Sequence, residues 1–307
     1  MDIVLKTKTS EETSPVLALF ASKDLDNHPF YKQLEKTDRE YVKEVAKSVE
    51  YEKENYRLLF LPSSPKRGLI LLGLGVKNDW DRRKFILTAR KIVGLLKEAG
   101  IKNASINLDD YSFRGTELSE ILDLFSQNLL MADFTFTSHK ERPKGGWPKI
   151  ETVEIRQGRI SKKLEDSLMN GIKVGEAVNE CRNLSNTPGG IMTPAKLADS
   201  AKKMADKTPG VKIKILSEPE IKKLSMGGVM GVSQGSSERP KFIILEYGPA
   251  KKKPLVFVGK GVTFDTGGIN LKPGESSLGM HMDMSGGSAV IHAVEAIANL
   301  KLPVRVV

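Results

Sequence analysis

Four charged residues near the end of this chain, Lys260, Asp265, Lys272 and Asp283, have the types and spacing from which a reactive centre could be built. The first three lie in the run Val258-Gly259-Lys260-Gly261-Val262-Thr263-Phe264-Asp265-Thr266-Gly267-Gly268-Ile269-Asn270-Leu271-Lys272-Pro273, and Asp283 follows in Gly279-Met280-His281-Met282-Asp283-Met284-Ser285-Gly286-Gly287. Glycines let a backbone turn sharply and come close to a ligand. Hard divalent cations prefer carboxylate oxygens, and a pair of metals ~3.5–4 Å apart needs a carboxylate that bridges them. Two aspartates could begin such a site but could not complete it. A single aspartate in a glycine-rich loop is usually turn chemistry; two acids and two lysines at one strand end make that reading less comfortable. Taken by themselves, these residues indicate an anion site or a metal site.

The elements that must position them are of alternating type. Leu255-Val256-Phe257-Val258 reads as a fully apolar strand that delivers the loop, and strand carboxyl ends are where open α/β sheets place their sites. Ser285 to Asn299 reads as the helix that follows Asp283. Earlier in this half, a helical pattern runs from Ser161 to about Leu184, and Asn186-Thr187-Pro188-Gly189-Gly190 breaks it. Thr193-Pro194 then opens a helix with Thr as N-cap and Pro at N1. Val211 to Leu216 and Phe242 to Tyr247 read as strands.

Before about residue 150 the same rhythm holds. Val16 to Phe20, Tyr56 to Leu61, Gly68 to Gly75 and Ala104 to Leu108 read as strands, as does Val153 to Arg156 just after. Asp81 to Ala99 carries Phe85, Ala89, Ile92, Val93 and Leu96 on one helical face, with Gly100 as C-cap. Gly73-Leu74-Gly75 lacks the third glycine of a dinucleotide loop and reads as a tight turn. The stretch His139 to Pro148 is the most linker-like, and the domain boundary is expected there or within the strand Val153 to Arg156. The expected organisation is therefore α/β: an N-terminal α/β domain with a mixed sheet over 1–145, then a second α/β domain with a central mixed sheet over 146–307.

Composition narrows the class. The 307 residues are 39% hydrophobic and 28% charged, which suits a globular protein of two domains. No apolar run approaches the ~20 residues that span a bilayer, and the N-terminus does not read as a signal peptide. A single cysteine, Cys181, allows no intrachain disulfide and fits a reducing cytoplasm; its place in a helical stretch suggests a buried small hydrophobe. The net charge of +10 is compatible with nucleic acid, but the basic residues are scattered among acids and no aromatics interleave with them. Nucleic-acid binding is the weaker reading. His28, His139, His281 and His292 match no zinc-ligand spacing, and His281 reads as loop support.

The run from Val258 to Pro273 resembles the diagnostic segment of the leucyl (cytosol) aminopeptidase family almost residue for residue, with Asp283-Met284 at the family's spacing from Asp265. Two further segments resemble it as well: Asn183 to Pro188 with Met192-Thr193-Pro194, and Gly231 to Ser236 leading to Leu245-Glu246-Tyr247. The resemblance is strong from about 160 onward and architectural before that. It implies a metal-dependent aminopeptidase that removes N-terminal residues, with leucine-type preference, from peptides with a free N-terminus. Two divalent metal ions, Mn or Zn foremost, are implied as cofactors. Asp265 would bridge both, while Lys260 and Asp283 would add ligands at one of them. An amine must be neutral to bind a metal, so Lys260 would need a strongly depressed pKa. Lys272 would polarise the scissile carbonyl or stabilise the oxyanion, and Met280 would line the pocket for the substrate's first side chain. A metal-bound water would be the nucleophile.

A homo-oligomer, a hexamer in the family, and a cytoplasmic location follow from the same resemblance, with no membrane partner. A DNA-binding or catalytically dead scaffold is the alternative. The family's Asn-Thr-Asp-Ala-Glu-Gly-Arg segment, which supplies further carboxylates and an arginine, does not occur in these 307 residues. The chain also ends on the strand-like run Leu302 to Val307. C-terminal truncation, an incomplete second domain and little or no peptidase activity are therefore the expectations.

Overall fold

Strand β2 (Ser14–Leu19) is buried along its whole length, because its alternating side chains meet two separate cores. Val16 and Ala18 enter one and Leu17 and Leu19 the other. The same split recurs in β4 (Ser64–Gly73), where Ile70 and Leu72 face the first core and Leu69 and Leu71 the second. Strands covered on both faces read as continuous apolar runs, which is why both are conspicuous in the sequence. The computed structural model describes residues 1–307, the Lys66 side chain excepted. It divides into two units: Met1–Thr135 with Glu141–Gly175, and Phe136–Lys140 with Glu176–Val307.

The first unit is built on a six-stranded sheet in the order β1-β6-β5-β2-β4-β3. The remaining strands are β1 (Asp2–Lys6), β3 (Tyr56–Leu61), β5 (Asn103–Asn107) and β6 (Thr152–Arg156). All pairings are parallel except β3 with β4, so the sheet is mixed as expected. Helices α1 (Pro29–Lys32) and α2 (Lys36–Ala46) contribute Phe30, Tyr31, Val42 and Ala46 to the second core. Helices α3 (Arg82–Glu98) and α4 (Leu118–Asp133) belong to the first. The expected face of α3 is buried in full, its N-cap Asp81 accepts from Lys84 N–H, and Gly100 takes a positive φ of 66° past its end. At Gly73 the turn is close-packed: a Cβ there would lie 2.7 Å from the Tyr51 carbonyl oxygen.

The first unit extends past the expected boundary at 145/146. β6 pairs with both β1 and β5 and buries Val153 and Ile155, so the sheet is not complete without it. The division falls instead within α5 (Lys162–Asn186), which contributes Leu164 and Leu168 to the first core.

The second unit holds α6 (Pro194–Lys207), α7 (Glu218–Lys223), α8 (Gly227–Ser233) and α9 (Ser285–Asn299). Strands β7 (Lys212–Leu216) and β8 (Phe242–Glu246) pair antiparallel. Val306 carries the pairing outward, bridging Tyr247 on one side and Leu255 on the other. The core comprises Leu197, Ala201 and Met204 of α6, Leu245 of β8, Ile291 and Val294 of α9, and Met284 and Val306.

Leu255 to Val258 departs from expectation. It forms one isolated bridge rather than a buried strand, and the four residues are 54, 63, 41 and 93% exposed. Its backbone is held on one edge only, by Leu255 N–H to the Arg305 carbonyl and Phe257 N–H to that of Val307. Among the described residues no strand pairs its other edge. No helix among them is long and apolar enough to cross a membrane.

Two glycines test the packing of the first unit. A Cβ at Gly171 would overlap Ser126 Oγ and the Asp123 carbonyl oxygen on α4, whereas one at Gly94 in α3 meets nothing within 4 Å. Gly171→Ala should destabilise by about 1–3 kcal/mol through overpacking. Gly94→Ala should stabilise by roughly 0.5–1 kcal/mol through helix propensity. Urea denaturation followed by circular dichroism measures both signs.

Candidate active site

The loop carrying Lys260 reaches Asp283 because glycine backbones let two segments touch. Gly287 N–H donates to the Lys260 carbonyl at 2.7 Å. A Cβ on Gly259 would overlap the Gly286 carbonyl oxygen and lie 2.7 Å from Gly287 Cα. One on Gly287 would lie 3.0 Å from the Lys260 oxygen, and one on Gly286 3.1 Å from the Lys260 nitrogen. These contacts set Lys260 beside the N-terminal end of α9, where its Nζ lies 2.7 Å from Asp283 Oδ2. That oxygen is buried, and the lysine approaches it as an ion pair off the line of a hydrogen bond.

A second tight turn returns Lys272 to Asp265. Gly267 N–H donates to Asp265 Oδ1 at 2.8 Å, and Gly267 itself takes φ 98°, a conformation that favours glycine. Gly267 bridges Leu271, and Lys272 N–H donates to the Thr266 carbonyl. Lys272 Nζ then donates to Asp265 Oδ2 at 2.9 Å and lies 3.1 Å from Met280 Sδ. The five residues singled out in the sequence thus form two contact groups, Lys260 with Asp283 and Asp265 with Lys272 and Met280. The groups feel each other, since the Asp265 charge also acts on Lys260.

The turn from Pro188 to Gly190 takes part as well, because Phe264 sits so close over Gly189 that a Cβ there would overlap its ring. The sequence marks that stretch as a helix break at the end of a family-like segment; nothing in it points to Phe264. Cys181, expected to be buried, is half-buried. Its role is through its backbone: the carbonyl accepts from Ser185 Oγ and from Ser288 Oγ, which ties α5 to α9. His292 pairs with Glu295 at 2.6 Å, away from the five.

Charge pairing sets the protonation of the cluster. The Gly267 N–H, then the Lys272 ammonium, hold the Asp265 carboxyl below the usual aspartate range. Lys260 is shifted upward by its acidic neighbours. Its contact with Asp283, reinforced by the Asp265 charge, raises its pKa, and its side chain is 56% exposed, so burial does little to neutralise it.

The donor set fits a divalent cation in kind: two carboxylates and an amine converge, with the second lysine adjacent. It does not enclose one. Among the described residues no group of three or more His, Cys, Asp or Glu side chains could hold a metal, and both carboxylates are already engaged by ammonium groups.

Residues 179–307 match the family model described as the cytosol aminopeptidase family, catalytic domain. The chain is 33% identical over 301 residues to a probable cytosol aminopeptidase of Nitrosococcus oceani, covering 95% of this chain and 59% of that protein. It is 36% identical over 248 residues to one from Bdellovibrio bacteriovorus, covering 78% of this chain and 48% of that protein. Among solved structures, a mutant tomato leucine aminopeptidase superposes with a TM-score of 0.77 at 23% identity, covering 100% of this chain and 61% of that one. The bottromycin maturation enzyme BotP in complex with Mn gives 0.73 at 21%, covering 99% and 58%. At such identities the structures speak to the fold. The chain spans about three-fifths of the length of the first relatives it matches.

Removing the Lys272 ammonium by Lys272→Met should move the Asp265 carboxyl back toward the ordinary aspartate pKa. A carboxyl held low keeps its contacts above the ordinary value and loses them as pH falls through the depressed one. An NMR titration of the Asp265 side chain should therefore show an acid-shifted midpoint in the native chain and a higher one in the variant. An unchanged midpoint would show that the two residues are not paired.

Proposed function

We propose that this chain, whose residues 179–307 match the catalytic-domain model of the cytosol aminopeptidase family, carries part of a metal-dependent aminopeptidase centre. The substrates are peptides with a free N-terminus, with leucine-type preference at the first residue. The observation that carries this reading is the convergence of Lys260, Asp265, Lys272, Met280 and Asp283 on one surface from segments up to 23 positions apart.

Lys260, Asp265 and Asp283 would hold divalent cations, two in number, with Mn or Zn as the metals. The donor chemistry supports a divalent ion, and a structurally similar enzyme is described in complex with Mn. Bound cations would supply Lewis acidity, acidifying water and polarising the scissile carbonyl. The chain's own residues do the rest. Asp265 would be among the residues that hold a cation, and Lys272, its ammonium partner in this structure, would then be free to donate elsewhere. Lys272 then donates to the oxygen that gains charge as the carbonyl is attacked, an interaction stronger in the transition state than in the ground state. The Met280 thioether beside Lys272 Nζ offers a polarisable apolar wall to the substrate's first side chain. This reading includes a homo-oligomeric assembly and a cytoplasmic setting; the name cytosol aminopeptidase carried by the relatives supports the second.

The 307 residues taken alone offer too few donors to hold two cations, so as an isolated polypeptide they should be inactive. Purified chain supplied with Mn²⁺ or Zn²⁺ should hydrolyse a leucine anilide no faster than buffer. It should still bind Mn²⁺ in equilibrium dialysis, and Asp265→Asn or Asp283→Asn should weaken that binding by about tenfold or more, as loss of a charged ligand does. Turnover abolished by Asp265→Asn would show that these residues suffice for catalysis. Metal binding indifferent to both substitutions would remove the centre from this position.

A further inference from the structure

The carboxyl end of the first unit's sheet carries a polar cleft that the proposed centre does not use. β2 and β5 are neighbours whose following connections run to opposite sides, one leading to β3 beyond β4 and the other to β6. Open α/β sheets bind ligands outside the strand ends at such a switch point. A cleft of about 460 Å³ lies there, between the end of β2 (Ala18 to Phe20), Asn107 ending β5 and Arg156 ending β6. That is the size of a small-molecule site.

Its floor is a continuous hydrogen-bonded chain of buried groups. His28, 4% exposed, places Nε2 2.8 Å from Asp110 Oδ2 while its Nδ1 accepts from Phe30 N–H. Asn107, 3% exposed, donates to Asp110 Oδ1 at 2.6 Å and accepts from the Arg156 guanidinium at 3.1 Å. Asp110 is fully engaged by these contacts, and Arg156 is held at the cleft wall. Arg156 Nε and the neighbouring Gln157 Oε1 are buried and make no hydrogen bond among the described residues.

The remaining charges interact only at a distance. Asp109 has its pKa raised, by partial burial first and by the Asp110 charge next, against a Gln157 hydrogen bond and the Arg156 charge that pull it down. Lys77 stands over the Phe20 ring, 5.8 Å from its centroid, and forms no ion pair among the described residues; nor do Arg156 and Asp109. Charges of both signs, none of these three in a close ion pair, thus share one cleft with the apolar surface of Phe20 and Pro29. A polyanion such as a nucleotide would meet Asp24, Asp109 and Asp110 together, and a bare divalent cation would meet Lys77 and Arg156. We propose that the cleft binds a small zwitterion of the α-amino acid class, with its carboxylate on Arg156 and Lys77 and its ammonium on Asp109. This site stands independently of the peptidase reading.

The test is calorimetric titration of the 307-residue chain with leucine, alongside 4-methylpentanoate, which lacks the amine, and isopentylamine, which lacks the carboxylate. Saturable leucine binding is expected, with about tenfold loss in Asp109→Asn and in Arg156→Gln and little change in Asp265→Asn. Both half-ligands should bind at least as weakly as leucine binds those two variants. Asp109 is only partly buried, so its substitution should leave the fold intact, which circular dichroism checks. Absence of saturable binding up to the solubility limit would overturn the proposal. So would leucine binding that survives both cleft substitutions, or a half-ligand that binds as well as leucine.

Discussion

The site in the second unit depends on one backbone contact, the packing of Gly259-Lys260-Gly261 against Gly286-Gly287. Its hydrogen bond from Gly287 N–H to the Lys260 carbonyl forms only because neither segment carries side chains at the points of approach. Met284, fully buried, and the Ser288 hydroxyl bonded to the Cys181 carbonyl anchor the start of α9 from behind. Asp283 is therefore fixed by a helix end and Lys260 by a loop pressed onto it. Asp265 and Lys272 are then set by a turn that needs a positive φ at Gly267. Backbone geometry makes the cluster; side-chain charge stabilises it.

That stabilisation also sets the chemistry. Each aspartate holds an ammonium group, so the four charges balance, although the buried Asp283 Oδ2 receives no hydrogen bond. A divalent ion has to compete with two lysines for the same oxygens. The competition is uneven, because Lys272 is about three-quarters buried and Lys260 more than half exposed. The exposed pair contributes little to stability and is the easier to exchange. Lys260 would serve as a ligand only by giving up its proton, and a cation held at Asp283 would weaken the contact that keeps the proton there.

Much of this was legible in the sequence. The βαβ rhythm, the buried β2 and β4, the face of α3 and the limits of α9 all follow from hydrophobic period and caps. The grouping of Lys260, Asp265, Lys272, Met280 and Asp283 came from motif resemblance rather than from spacing, since nothing local says that Gly259 meets Gly286. Helix α4 went unread because polar residues interrupt its buried face: Ser126 and Asn128 are inside, bonding the Leu122 and Leu124 carbonyls. The unit boundary was misplaced because β6 is short and its two sheet partners, β1 and β5, are remote in sequence. Leu255 to Val258 has strand composition, but composition does not provide a neighbour for its second edge. The cleft around Arg156 was invisible for a similar reason, its polar residues coming from the ends of three strands.

The most direct test of the central claim, that these charges form one cation-binding cluster, is proton release during Mn²⁺ titration of the unbuffered chain. If Lys260 becomes a ligand, about one proton per bound cation should appear at neutral pH, because coordination requires the neutral amine. Lys260→Met should bind more weakly and release none. Metal binding with no proton release in the native chain, or with the same release in Lys260→Met, would contradict the account.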